Sequence, residues 1–161
     1  MKRNKAIFLF LALLLPILIF LFLKFFGKNE FAVPPLYTQT YPETLGPCAP
    51  VKTLPYRIAD SVQTKLPFGN DSLVLVSFGT LSKEADNQMK RVKGVFEKDP
   101  VAYLHIDNDA SPWKQCVFFL KPPFNLALVD RKGALRGQYE AADLDEMDRL
   151  ITELTIILKK Y

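Results

Sequence analysis

Residues Ala6 to Leu23 form an uncharged apolar run of 18 residues, and no other feature restricts the folding of this chain more. A run of that length sits at the lower limit for a membrane-spanning helix. Extended to Phe26, with the Lys24 stem lying along apolar surface, it covers 21 residues and a length of roughly 31 Å. Pro16 interrupts it, which a helix in lipid tolerates better than one in water. Lys2, Arg3 and Lys5 precede it. The positive-inside rule therefore puts the N-terminus in the cytosol and the body outside, on the periplasmic side of the inner membrane in a Gram-negative cell. A cleaved signal peptide is the competing reading. The length of the run and the lack of a small-x-small site in Lys24-Phe25-Phe26-Gly27-Lys28 argue against it. Residues 1–27 are thus expected to be an anchor that meets the membrane through residues 6–26.

The charge follows the anchor. Lys2, Arg3, Lys5, Lys24 and Lys28 are five of the 21 Lys/Arg, and the remainder carries 16 basic and 17 acidic residues, a net of −1. The basic character belongs to the anchor flanks and is no footprint for nucleic acid. Two cysteines are too few for a disulfide framework, but one bridge is open to them in an oxidising compartment.

Residues 28–52 read as a Pro-rich stalk and entry segment, and residues 53–161 as the folded domain. Thr53 to Ile58 and Val62 to Leu66 suggest a hairpin. Leu73 to Phe78 (LVLVSF) is a continuous apolar run that suits a strand buried on both faces. Ser82 can cap a helix running to about Lys98, with Ala85, Met89, Val92 and Phe96 on its apolar face. Val101 to Ile106 is a second strand and Asn125 to Asp130 a third, with Val117 to Leu120 a short strand-like run between them. Arg131-Lys132-Gly133 turns into Ala134 to Tyr139 as a hairpin partner. Asp143 and Glu146 form a capping box for a last helix bearing Leu144, Met147, Ile151, Leu154 and Leu158 on one face.

A β-α-β crossover followed by a β-hairpin and a helix is the layout of the thioredoxin fold, an α/β architecture with helices on each face of a mixed sheet. Two stretches also resemble the Sco/SenC family. Asn125 to Leu158 is similar to its C-terminal part, where an LVD strand leads through a K-G turn to an IRG-Y strand and a helix carrying D-R-L-I. Gln88 to Val92 (QMKRV) is similar to its first helix, and Pro55 to Leu66 to its entry hairpin. The resemblance covers roughly 100 of the 161 residues. It implies a membrane-anchored thioredoxin fold facing the periplasm or intermembrane space. Relatives there deliver copper to cytochrome c oxidase subunits or reduce their thiols. It also implies a C-x-x-x-C at the start of the first helix and a distant histidine. Counted back from Gln88, the cysteine positions fall on Phe78 and Ser82, neither of which carries a thiol. The histidine position falls at or near Pro122-Pro123.

Thiol exchange needs a sulfur activated by a helix N-terminus, and copper needs converging soft ligands. Cys48 and Cys116 are read three ways: a redox or metal-binding pair, a structural disulfide, or two unlinked thiols. His105 is a partly buried strand histidine or, as the sharper reading, a metal ligand. Asp107, Asn108 and Asp109 read as a solvated turn before a cation site. Pro122-Pro123 is where thioredoxin folds hold a cis-proline, so a cis bond at Pro123, marking a retained peptide groove, stands against a trans turn. Trp113, Phe118, Phe119 and Phe124 are core residues or an exposed patch. Lys83, Lys90, Arg91 and Lys93 are a solvated helix face. A Ser/His/Asp triad has only His105 to use, and would lie outside the strand register proposed here.

The expected function is a Sco-like domain without a redox or copper site, acting as a non-catalytic binding or assembly accessory. Its partner would be an envelope or respiratory-complex protein, and it would hold no cofactor. The alternative is a thiol oxidoreductase or copper chaperone for cytochrome c oxidase assembly that works through Cys48 and Cys116.

Overall fold

Six small or apolar residues in a row make β1 (Leu73–Phe78), and all six are buried, as a strand covered on both faces requires. In this computed structural model the described backbone comprises residues 2–26, 32–43 and 48–159. Parts of the expected stalk, residues 28–31 and 44–47, lie outside the described residues.

The chain forms two compact units, Met1–Phe31 and Ala32–Tyr161. The first contains α1 (Lys2–Phe26), 25 residues long and continuous through Pro16. Among the described residues no helix is long and apolar enough to cross a membrane. The side chains of Ala6, Ile7, Phe8, Leu9, Leu11 and Leu23, which belong to the apolar run, are outside the described residues.

The second unit is a mixed α/β domain. Its elements are α2 (Asp60–Gln63), β1, α3 (Lys83–Val95), β2 (Val101–Ile106), α4 (Pro112–Cys116), β3 (Leu126–Asp130), β4 (Leu135–Tyr139) and α5 (Leu144–Leu158). The sheet order is β2-β1-β3-β4. β1 and β2 are parallel, while β3 is antiparallel to both β1 and β4. This is the thioredoxin-like arrangement.

Alternation along β1 sends Leu73 and Leu75 to one face and Val74, Val76 and Phe78 to the other. The first face is covered by α3 and α5 through Ala85, Met89, Val92, Met147, Leu150 and Leu154. Helices were expected on both faces. The second face instead lies under irregular chain and the short α4, with Leu36, Tyr37, Val51, Tyr56, Trp113, Phe118 and Phe119 packed on it.

Three further expectations are corrected. Thr53–Ile58 and Val62–Leu66 do not pair. Tyr56 N–H donates to Tyr37 O and Ile58 N–H to Gly133 O, while residues 60–63 wind into α2. Val62 and Leu66 are four apart, a spacing that serves a helical turn as well as a strand. Val117–Leu120 is not a strand. The Val117 and Phe118 N–H groups both donate to Trp113 O, and Phe119 takes φ +50, so the run folds back over the end of α4. The helix expected to reach Lys98 ends at Val95, with Phe96 as its C-cap.

The β3–β4 turn forms because Gly133 adopts φ +75 and Asp130 Oδ1 accepts from the N–H groups of Lys132 and Ala134, at 2.9 and 3.0 Å.

Candidate functional site

In α/β sheets ligands meet the carboxyl ends of parallel strands, so the end of β1 and the start of α3 are the place to look for chemistry. Phe78 ends β1 with 1 % of its surface exposed, its ring 5.5 Å from that of Phe118. Gly79 follows at φ +75, and its N–H donates to Ile106 O at 2.9 Å. A Cβ there would lie 2.9 Å from Asp109 Oδ1. Ser82 caps α3 by accepting from Ala85 N–H at 3.1 Å. Glu84 and Asp86 occupy the first turn, where their charge opposes any further anion at this helix end. The two positions that the resemblance assigns to thiols are therefore a core ring and a helix cap.

The loop leading into β3 carries Pro122 and Pro123, both exposed and joined by a cis peptide bond. A second cis bond joins Leu54 and Pro55. Asn125 then ties the loop to the last strand. Its N–H donates to Tyr139 O, and its side-chain oxygen accepts from Ala141 N–H at 2.8 Å.

Cys48 and Cys116 are disulfide-bonded, with Cα atoms 5.2 Å apart and a sequence separation of 68. They are not two unlinked thiols. The bond fastens the entry segment to the last residue of α4.

The parallel register sets Ser77 beside His105. This corrects the expectation that a Ser/His/Asp grouping would lie outside the strand register. Ser77 Oγ is 2.8 Å from His105 Nδ1, and His105 Nε2 is 2.9 Å from Asp107 Oδ1. With the ring proton on Nε2, Ser77 donates to the imidazole and the imidazole donates to Asp107. Ser77 is only 3 % exposed, so its hydroxyl offers no approach to a substrate carbonyl. The grouping joins β1 to β2; it is not a nucleophile with its base.

Asp107, Asn108 and Asp109 do not converge. Asn108 Oδ1 accepts from Ala110 N–H, Asp109 pairs with Lys114, and Asp107 with His105. Among the described residues no group of three or more His, Cys, Asp or Glu side chains could hold a metal ion.

The aromatic stretch lies on the second face of the sheet. Phe118 and Phe119 are buried, while Trp113 and Phe124 are half-buried. Phe119 meets Tyr56 and Tyr37 edge-on, at centroid distances of 4.9 and 5.6 Å. Burial, then the neighbouring Tyr37, pushes the Tyr56 hydroxyl up to about 12. Tyr37 joins Phe119 in taking positive φ, at +55, and both line a 370 Å³ groove with Tyr41, Phe124 and the Glu43–Lys121 ion pair. The Lys121 ammonium holds the Glu43 carboxyl below its ordinary value. Nothing in the sequence pattern signalled this groove, because strands and loops far apart in the chain build it.

No family model matches the chain, and no curated protein matches it. Solved structures with a similar course include the thioredoxin of Schistosoma mansoni, at 15 % identity over 66 % of this chain and 92 % of that one, TM-score 0.39. Human ERp44 in its zinc-bound form is similar at 17 % identity over 64 % of this chain and 30 % of that one, TM-score 0.39.

Proposed function

We propose that this chain is a membrane-anchored, extracytoplasmic, Sco-like protein acting as a non-catalytic binding or assembly accessory for an envelope or respiratory-complex protein. One observation carries the reading: Phe78 is a buried core ring and Ser82 is engaged as a helix cap, where a thiol pair would have to stand. The two cysteine sulfurs are bound to each other, so neither is a thiolate ready for copper. A disulfide also fits an oxidising compartment. For the anchor, the support is a continuous helix over Lys2–Phe26 that carries the uncharged run behind three basic residues.

The test is a Cu(I) titration of the full chain in detergent micelles against a chromophoric competitor, alongside a thiol-exchange assay on a reduced peptide. The expected result is neither stoichiometric copper binding nor turnover. Tight one-to-one binding by the oxidised protein would overturn the reading.

A second reading rests on the Cys48–Cys116 bond itself. As a thiol oxidoreductase for oxidase assembly, the protein would take two electrons and two protons from a substrate dithiol, and as a copper chaperone it would work from the reduced pair that this step leaves. It would then release an oxidised substrate and hold two free thiols. Turnover lost on Cys48→Ser and Cys116→Ser alike would favour this reading over the first.

A further inference from the structure

We infer that the outer edge of β2 is a docking site for an extended, antiparallel strand of a partner protein carrying Lys or Arg eight residues apart. This rests on the binding reading above and gives it a surface.

The sheet order leaves β2 with a single neighbour. Pro100 O accepts from Ser72 and Leu73 N–H, and Ile106 O accepts from Gly79 N–H. Even-numbered residues of β2 therefore turn their amide groups toward β1. Tyr103 and His105 turn theirs outward, and among the described residues no strand pairs with them.

Natural sheets blunt such an edge with Pro, Lys, a bulge or a covering segment. Val101–Ile106 has no Pro and no Lys, and its six-residue register with β1 is unbroken. The opposite edge is handled differently. Leu36 N–H donates to Leu135 O at 2.7 Å, and Arg136 donates to Val33 O, so the entry segment lies along β4. Among the described residues of the second unit, one edge is covered and the other is left open.

Charge identifies the occupant. Asp99 and Asp107 flank the outward-turned residues and are both exposed. Asp99, with Asp71, also acts on the Tyr103 hydroxyl. Lys93 lies over the Tyr103 ring at 5.3 Å. A second copy of this chain fits poorly. Antiparallel pairing centred on Tyr103 sets Val101 against His105 and Asp99 against Asp107 at both ends. Like charges directly opposite one another destabilise a strand pair. A strand with basic residues opposite Asp99 and Asp107, and β-branched residues opposite Val101, Tyr103 and His105, satisfies both ends.

The probe is the peptide Lys-Thr-Val-Thr-Ile-Thr-Val-Thr-Lys at millimolar concentration, with its Glu-ended counterpart as control. The readout is amide hydrogen exchange at Tyr103 and His105 in the full chain in detergent micelles. The Lys-ended peptide is expected to slow exchange at both amides by about tenfold or more, with the protection fading in high salt. The Glu-ended peptide should do so only in the Asp99→Lys, Asp107→Lys double variant, whose changes fall on exposed side chains. Equal protection by both peptides, or none by either, overturns the proposal. So does protection that grows with protein concentration alone, which would mark a second copy as the occupant. None of these outcomes alters the copper and thiol assays, so the two readings fail separately.

Discussion

Gly137→Ala tests the packing of β4 against α5. Tyr139 lies two residues along β4, on the same face as Gly137, and its fully buried ring folds back across the glycine. A Cβ on residue 137 would stand 2.0 Å from Tyr139 Oη, 2.4 Å from Cζ and 2.8 Å from Cε2. Carbon atoms in contact sit at about 3.5–4.0 Å, so the ring has to move by well over an ångström. It is held from two sides. Its hydroxyl donates to Glu153, and the Arg149 guanidinium lies 4.6 Å from its centroid. Overpacking costs about 1–3 kcal/mol. A displaced hydrogen bond to a carboxylate adds about 1.5–3 kcal/mol, while replacing Gly returns about 0.4–1 kcal/mol through the unfolded chain. The net expectation is a loss of about 3 kcal/mol. In urea, with a slope of about 2 kcal/mol/M, the unfolding midpoint of the full chain in mild detergent falls by about 1.5 M. In a Tyr139→Leu background the three atoms nearest to that Cβ are gone, so the same Gly137→Ala change should cost less than about 0.5 kcal/mol. A penalty of equal size in both backgrounds, or a wild-type midpoint for the single variant, would refute the reasoning.

Cys48→Ser opens a loop closed across 68 positions and should lower stability by about 4 kcal/mol, read as a urea midpoint shift that reduction of the parent protein reproduces. Tyr103→Phe removes a buried hydroxyl that has no hydrogen-bond partner among the described residues and should leave stability unchanged or raise it by about 1 kcal/mol. Burial, then Asp99 and Asp71, pushes the Tyr103 hydroxyl up to about 12. Its neutral form is therefore favoured in the fold. That stability is complete below the unfolded value near 10 and is lost as pH rises through about 12. Urea midpoints measured from pH 9 to 12 should fall less steeply in Tyr103→Phe than in the parent. Ser82→Ala should cost about 1 kcal/mol as a lost helix cap, with no change in the Cu(I) or thiol-exchange readouts.

Local pattern reached a good part of this fold. The unbroken apolar run of Leu73–Phe78 announced a central strand. The capping box announced α5, where Asp143 Oδ1 accepts from Glu146 N–H at 3.0 Å. Ser82 announced the start of α3, and Arg131-Lys132-Gly133 the tight turn. Each is decided by contacts within a few residues, which periodicity and capping chemistry report directly. The features that matter most for the site are decided elsewhere. Ser77 meets His105 only because a parallel crossover aligns two strands 28 residues apart. Cys48 meets Cys116 only because the entry segment crosses the second face of the sheet. Thr53–Ile58 reads as a strand, yet its Tyr56 and Ile58 amides bond to Tyr37 and Gly133, partners that its own alternation does not encode. The open edge of β2 likewise follows from strand order, a property of the assembled sheet. Hydrogen bonds and hydrophobic contacts between distant segments depend on which surfaces the whole chain can bury together, so only the tertiary structure assigns them.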